Sequence, residues 1–268
     1  MIPNILSIAG SDPSGGAGIQ ADIKAISANG GYAMAVITAL TAQNTQGVTA
    51  VQMVAPDFVA AQIAAIRADI RVDAVKIGML GDTGIIGAVV AGLSGLTAPV
   101  VLDPVMVAKG GDRLLLAEAV FALRAALPMA AIITPNLPEA ADLLGIPEAT
   151  TRDEMERQAH ALLALGAKAV LLKGGHLLGD DCPDLLADAA GQTWLTGSRV
   201  ATRKTHGTGC TLSSALATYL GIGVPLPEAA ARAKVYVARA IATADALTVG
   251  TGHGPTHHFH DLFKGPNP

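Results

Sequence analysis

The sequence predicts an α/β protein in which helices cover a mostly parallel sheet, and three observations carry that expectation. Short β-like runs alternate with helical patterns along the chain, which is how strands joined by crossover helices read. The core must be aliphatic, because hydrophobic residues make up 51% of the 268 residues and aromatic residues only 3%. Several strand-like runs also end in glycine-rich or polar loops, where open parallel sheets place their ligands.

The first strand-like run covers residues 5–9, followed by helical spacing over 17–28 and a second run over 33–40. A helix is expected at 56–70, a strand at 74–77, a helix at 83–93 and a strand at 100–102. Next come a helix near 114–127, a strand at 131–134, helices at 137–144 and 152–165, and a strand at 169–172. Two weaker runs, 185–189 and 193–195, flank Gly191 and predict a hairpin. Helices over 208–220 and 227–247 close the pattern.

Residues 83–102 carry no charge, yet Gly84, Gly87, Gly92, Gly95 and Pro99 interrupt them. A buried helix followed by a buried strand fits better than a membrane span. No repeat, low-complexity tract or composition shift marks a linker, so residues 1–268 are expected to form a single domain.

The net charge of −4 lacks the basic footprint of a nucleic-acid binder. The N-terminus has no basic segment before its short apolar stretch, so it does not read as a signal peptide. With only Cys182 and Cys210, a disulfide scaffold is not expected either. The expected compartment is the cytoplasm.

The sharpest motif is His206-Gly207-Thr208-Gly209-Cys210, which opens a helix of small and apolar residues. Glycines let a backbone approach a ligand closely, and the free N–H groups of a first helical turn bind anions, phosphate above all. A thiol at that position is expected to have a lowered pKa and to be able to accept a proton from a substrate hydroxyl. A glycine-rich turn with a packed cysteine would read the same.

After the first strand-like run stands Ala9-Gly10-Ser11-Asp12-Pro13-Ser14-Gly15-Gly16-Ala17-Gly18, leading into a helix with Asp22. A dinucleotide fingerprint would need an acidic residue at the end of the second strand, and none is present; a P-loop would need Gly-Lys-Ser/Thr. A substrate-cradling loop or a structural turn remain. Gln43 and Asn44 fall just past the expected second strand, where an amide's paired donor and acceptor would match an aminopyrimidine edge. Met79, in Lys76-Ile77-Gly78-Met79-Leu80, could lie against a flat ring or belong to the core.

Asp103 and Glu139 follow two further strand-like runs and could organise Mg²⁺. Asp-Pro is equally a common turn, and Asn136 with Glu139 has capping-box spacing. Lys173 offers a cation for phosphate oxygens. His253, His257, His258 and His260 lack a partner with ligand spacing, so a mobile terminus is expected there.

Taken together, the segments AGSDPSGGAGIQAD, TALTAQNT, KIGML, LDPVM, TPNLPEA, LLKGGH, HGTGCTLSSA and GHGP resemble the hydroxymethylpyrimidine kinase/phosphomethylpyrimidine kinase family, within the ribokinase-like superfamily. The resemblance implies a ribokinase-like three-layer α/β/α sandwich with a mostly parallel central sheet. It implies ATP and Mg²⁺ as cofactors, leaves K⁺ activation open, and suggests a homodimer acting on a small pyrimidine. By the same resemblance Gln43 would bond the aminopyrimidine, with Gly10, Asp22 and Met79 lining its pocket. Asp103 and Glu139 would organise Mg²⁺, Lys173 and Thr208 would face the phosphates, and Gly207 and Gly209 would form the anion hole. Cys210 would take the place of the aspartate base of most ribokinase-like enzymes. Pyridoxine, pyridoxal or pyridoxamine kinase is the alternative within the class; a nicotinamide-dependent dehydrogenase and a silent pyrimidine sensor are alternatives outside it.

Overall fold

Side chains along β1 (Asn4–Ser11) alternate between two cores, as a strand buried on both faces requires: Ile5 enters one, Leu6 and Ile8 the other. The same alternation holds in β4 (Ala74–Ile77), β5 (Val100–Leu102), β6 (Ile132–Ile133) and β7 (Ala169–Lys173), all at the sheet's centre. The computed structural model describes residues 1–106 and 118–263.

The nine-stranded sheet has the order β3-β2-β1-β4-β5-β6-β7-β8-β9, where β2 is Tyr32–Asn44, β3 Gly47–Met53, β8 Asp184–Asp188 and β9 Gly191–Leu195. The six strands from β2 to β7 pair in parallel, and β3, β8 and β9 add antiparallel edges. On one face, α1 (Gly18–Ala28), α7 (Thr208–Ile222) and α8 (Leu226–Ala242) enclose an alanine- and leucine-rich core. On the other, α2 (Pro56–Asp69), α3 (Thr83–Gly92), α4 (Ala119–Ala126), α5 (Leu137–Leu144) and α6 (Arg152–Ala164) enclose the larger core. This is the expected three-layer α/β/α sandwich.

Two expectations change, and a third falls partly outside the described residues. The second strand does not stop at residue 40 but runs to Asn44 and turns back as β3, so Gln43 lies within a ribbon rather than in a loop beyond it. The exposed side chains of β3 gave no buried-strand signal. Part of the helix expected near 114–127 falls outside the described residues, and the described portion starts at Ala119. The histidine-bearing terminus is not mobile but packed: Thr256, His257 and His258 are buried, and Tyr236 Oη donates to the His258 carbonyl at 2.8 Å. Residues 83–102 form α3 and β5 as expected, and among the described residues no helix is long and apolar enough to cross a membrane.

Candidate active site

The turn before α7 is built by close backbone packing. Gly207 caps the helix with φ of 76°, and a Cβ there would fall 1.8 Å from the Gly16 carbonyl oxygen, so only glycine lets the turn lie on the loop after β1. The Thr211 N–H bonds the Gly207 carbonyl, which leaves the Gly209 and Cys210 N–H groups without intrahelical partners. The Thr208 hydroxyl donates to the Thr205 carbonyl at 2.7 Å, so its proton serves the turn. An incoming anion would therefore meet backbone N–H groups and the helix dipole first.

Directly opposite stands a charged cluster carried by the ends of β5, β6 and β7. Lys173 Nζ lies 3.0 Å from Asp103 Oδ1 and 3.8 Å from Glu139 Oε2. Thr134 Oγ1 also donates to Asp103 Oδ1, at 3.0 Å. A Cβ on Gly209 would fall 3.2 Å from Lys173 Nζ and 3.3 Å from Asp103 Oδ2, so the turn and the cluster face each other across one small space. Burial pulls the Lys173 pKa down, but Asp103 and Glu139 reverse that and hold it above its usual value. Burial pushes the Glu139 carboxyl up to about 7, against the attraction of Lys173 and with the repulsion of Asp103. Glu139 is also the capping-box residue of α5: it accepts from the Asn136 N–H at 2.8 Å while Asn136 caps its own N–H. The capping-box reading of that carboxylate therefore holds.

The loop after β1 forms the neighbouring wall. Gly10 sits against Met79: a Cβ there would lie 3.0 Å from the Met79 sulfur, tighter than an ordinary contact. Asp12, within the glycine-rich loop, is buried and accepts from the Ser14 and Ala17 N–H groups, both at 2.9 Å, and from His206 Nε2 at 2.7 Å. Burial raises its pKa, but the hydrogen bonds from His206 and Ser14 outweigh that and hold the carboxyl below its usual value. Gln43 reaches the same place from β2, its amide 3.4 Å from His206 Nε2 and 3.1 Å from Thr41 Oγ1.

Asp22 departs from its expected place in the pocket wall. The inward face of α1 buries it completely, where its carboxylate accepts from Ser7 Oγ at 2.6 Å, Lys76 Nζ at 2.8 Å and Ser214 Oγ at 2.8 Å. Lys76 is likewise fully buried, and its pKa lies above the usual lysine value: burial pulls it down, while Asp22 chiefly, with Cys210 and Asp103, drives it up. Ser214 is one helical turn along α7 from Cys210, so the pair lies just beneath the thiol.

Cys210 itself corrects the expectation of a lowered pKa. Burial pushes its thiol up to about 11, and the Asp22 and Asp103 carboxylates add to the rise, against Lys76 and the Gly18 N–H. The helix N-terminus does not outweigh two nearby carboxylates and the loss of water.

The strap at residues 250–255 ties these walls together. The His253 N–H donates to the Thr45 carbonyl at 2.7 Å, next to the β2–β3 turn, and the His206 N–H donates to the Gly254 carbonyl at 3.0 Å. The GHGP segment thus spans the amide wall and the anion turn.

Fold and site define an α/β protein of ribokinase-like architecture with an anion-cradling helix start facing a lysine and two carboxylates. The phosphomethylpyrimidine kinase family matches residues 12–257, and the chain belongs to that family. It is 52% identical over 259 residues to the hydroxymethylpyrimidine/phosphomethylpyrimidine kinase of Escherichia coli (strain K12), covering 96% of this chain and 97% of that protein. The corresponding protein of Rhizobium meliloti (strain 1021) is also 52% identical, over 97% of this chain and 98% of its own length. Among solved structures, Bacillus subtilis pyridoxal kinase in complex with ADP superposes with a TM-score of 0.89 at 38% identity, over 96% of this chain and 98% of that one. Phosphomethylpyrimidine kinase from Clostridium difficile 630 superposes with a TM-score of 0.79 at 44% identity, over 89% and 99%. Pyridoxal kinases thus share the fold closely, while the curated relatives of higher identity are pyrimidine kinases.

Proposed function

We propose that the protein transfers the γ-phosphate of ATP to 4-amino-5-hydroxymethyl-2-methylpyrimidine and then to its monophosphate, giving the diphosphate used in thiamine biosynthesis. The observation that carries the site assignment is that Gly209 faces the Lys173–Asp103 pair at the start of α7, where an added Cβ would fall 3.2 Å from Lys173 Nζ and 3.3 Å from Asp103 Oδ2. Phosphoryl transfer needs little covalent help, and a preorganised cradle of N–H groups, a cation and a metal supplies most of the rate.

In this reading the Gly207 to Cys210 backbone receives the transferred phosphoryl group, and Lys173 offsets its charge. Thr208 holds the turn and presents its oxygen beside it. Asp103 and Glu139 fit Mg²⁺ of the kind that keeps most of its ligands from water and nucleotide, since one or two carboxylates then suffice. When bound, Mg²⁺ supplies charge neutralisation to the phosphates. Gln43 reads the amino-pyrimidine edge, Gly10 and Met79 form a flat surface for the ring, and Asp22 acts from below through Lys76. The Cys210 thiolate accepts the hydroxymethyl proton as the alcohol oxygen bonds to the γ-phosphorus and the bond from that phosphorus to the β,γ-bridging oxygen breaks, releasing ADP. The proposal extends to a cytoplasmic homodimer, supported by the family resemblance alone.

Gly209→Ala tests the cradle, because its methyl group would press on Lys173 Nζ and Asp103 Oδ2. ADP release is expected to fall by about 100-fold, on the scale of losing a phosphoryl-stabilising contact, with little change in melting temperature. Wild-type turnover in that variant would place the transferred group elsewhere.

A further inference from the structure

We infer that His206 and Asp12 set the substrate preference of this site by fixing which way round the Gln43 amide points. The inference rests on the aminopyrimidine reading above and deepens it.

Thr41 Oγ1 donates its one hydrogen to the Ser11 carbonyl at 2.9 Å. The Gln43 Oε1 atom is placed 3.1 Å from Thr41 Oγ1, but amide oxygen and nitrogen are told apart only by their partners, and a hydroxyl that already donates to Ser11 calls for the NH₂ group at that end. The Gln43 Nε2 atom, placed 3.4 Å from His206 Nε2, then exchanges places with the carbonyl oxygen. The opposite assignment would set two donors against each other, because His206 Nε2 carries a hydrogen: its 2.7 Å partner is the Asp12 carboxylate, which only accepts. One Nε2–H thus serves Asp12 and the Gln43 oxygen together.

The histidine has no freedom to do otherwise. A Cβ on Gly16 would fall 2.4 Å from its ring and 3.2 Å from Pro255, and its N–H is held by Gly254. Asp12 is fixed in turn by the Ser14 and Ala17 N–H groups.

The consequence is an ordered edge. Gln43 presents an acceptor on the His206 side, next to the phosphoryl turn, and a donor on the Thr41 side. In the pyrimidine alcohol the amino group is adjacent to the ring carbon bearing the hydroxymethyl, and the ring nitrogen comes next. The amino donor then meets the amide oxygen with the hydroxymethyl toward the turn, and the ring nitrogen meets the NH₂. Pyridoxal carries an aldehyde oxygen, an acceptor, next to its hydroxymethyl, and it would face the Gln43 oxygen. Reversing the amide would suit pyridoxal instead.

The test is the ratio of kcat/KM for the pyrimidine alcohol to that for pyridoxal in wild type, His206→Leu, Gln43→Ala and the double variant. His206→Leu is expected to lower the ratio about tenfold, the scale of one hydrogen bond. The double variant is expected to show the ratio of Gln43→Ala alone, because His206 acts through that amide. Asp12→Asn, which keeps the ring but replaces its acceptor-only partner, is expected to move the ratio the same way and stands in if His206→Leu does not fold. An unchanged ratio in the folded variants, or losses that multiply in the double variant, would overturn the inference. Wild-type turnover of pyridoxal alone would show that the substrate reading itself is wrong, and the inference would fall with it.

Discussion

Cys210→Ala is expected to lower kcat at least about 100-fold, within the range of lost general-base catalysis, while ATP affinity stays within about twofold. The thiol lies in the first turn of α7, beside the space bounded by Gly209, Lys173 and Asp103. Its pKa of about 11 makes the thiolate a strong but scarce base at neutral pH. The ionised fraction grows tenfold with each pH unit below that value, so wild-type kcat should climb between about pH 7 and pH 9, and the Ala variant should lose this rise. Cys210→Ser should fare no better than Ala, because a hydroxyl ionises far less readily. Stopped-flow or coupled measurement of ADP release across that range decides the matter. A Cys210→Ala enzyme with wild-type kcat and the same pH slope would remove the thiol from the reaction.

The largest effect on stability is expected at Lys76. Its ammonium and the Asp22 carboxylate are both fully buried and 2.8 Å apart. Lys76→Met leaves Asp22 as a buried anion held only by Ser7 and Ser214. Breaking such a pair from one side costs about 3–5 kcal/mol. Denaturant unfolding should show that loss in the single variant and a partial recovery when Asp22→Asn is added, since the second change removes the orphaned charge. Equal stability of wild type and Lys76→Met would contradict a stabilising role for the buried pair. The position also bears on Cys210: with the ammonium gone, the thiol loses the largest influence lowering its pKa, so its alkylation by iodoacetamide should slow further.

The strand-end loops were legible in the sequence because their signals are local. Asp103, Glu139 and Lys173 each follow an apolar run, and the structure gathers both carboxylates within 3.8 Å of the lysine nitrogen. The three layers were legible for the same reason, through alternating periodicities. The buried cluster beneath Cys210 was not, since its four members Ser7, Asp22, Lys76 and Ser214 come from β1, α1, β4 and α7 and are assembled only by the crossovers. The one available signal was a lysine in the otherwise apolar strand Ala-Val-Lys-Ile. Asp12 and His206 lie 194 residues apart, and only the packed turn of Gly207 on Gly16 brings them together. The thiol pKa was misjudged because helix position can be read from sequence, whereas burial and two distant carboxylates cannot.

The most direct test is ADP release by the purified protein with Mg-ATP and, separately, the pyrimidine alcohol, its monophosphate and pyridoxal. ADP production with both pyrimidines, at a higher kcat/KM than with pyridoxal, is the expected result. Folded, ATP-binding protein that turns over neither pyrimidine would contradict it.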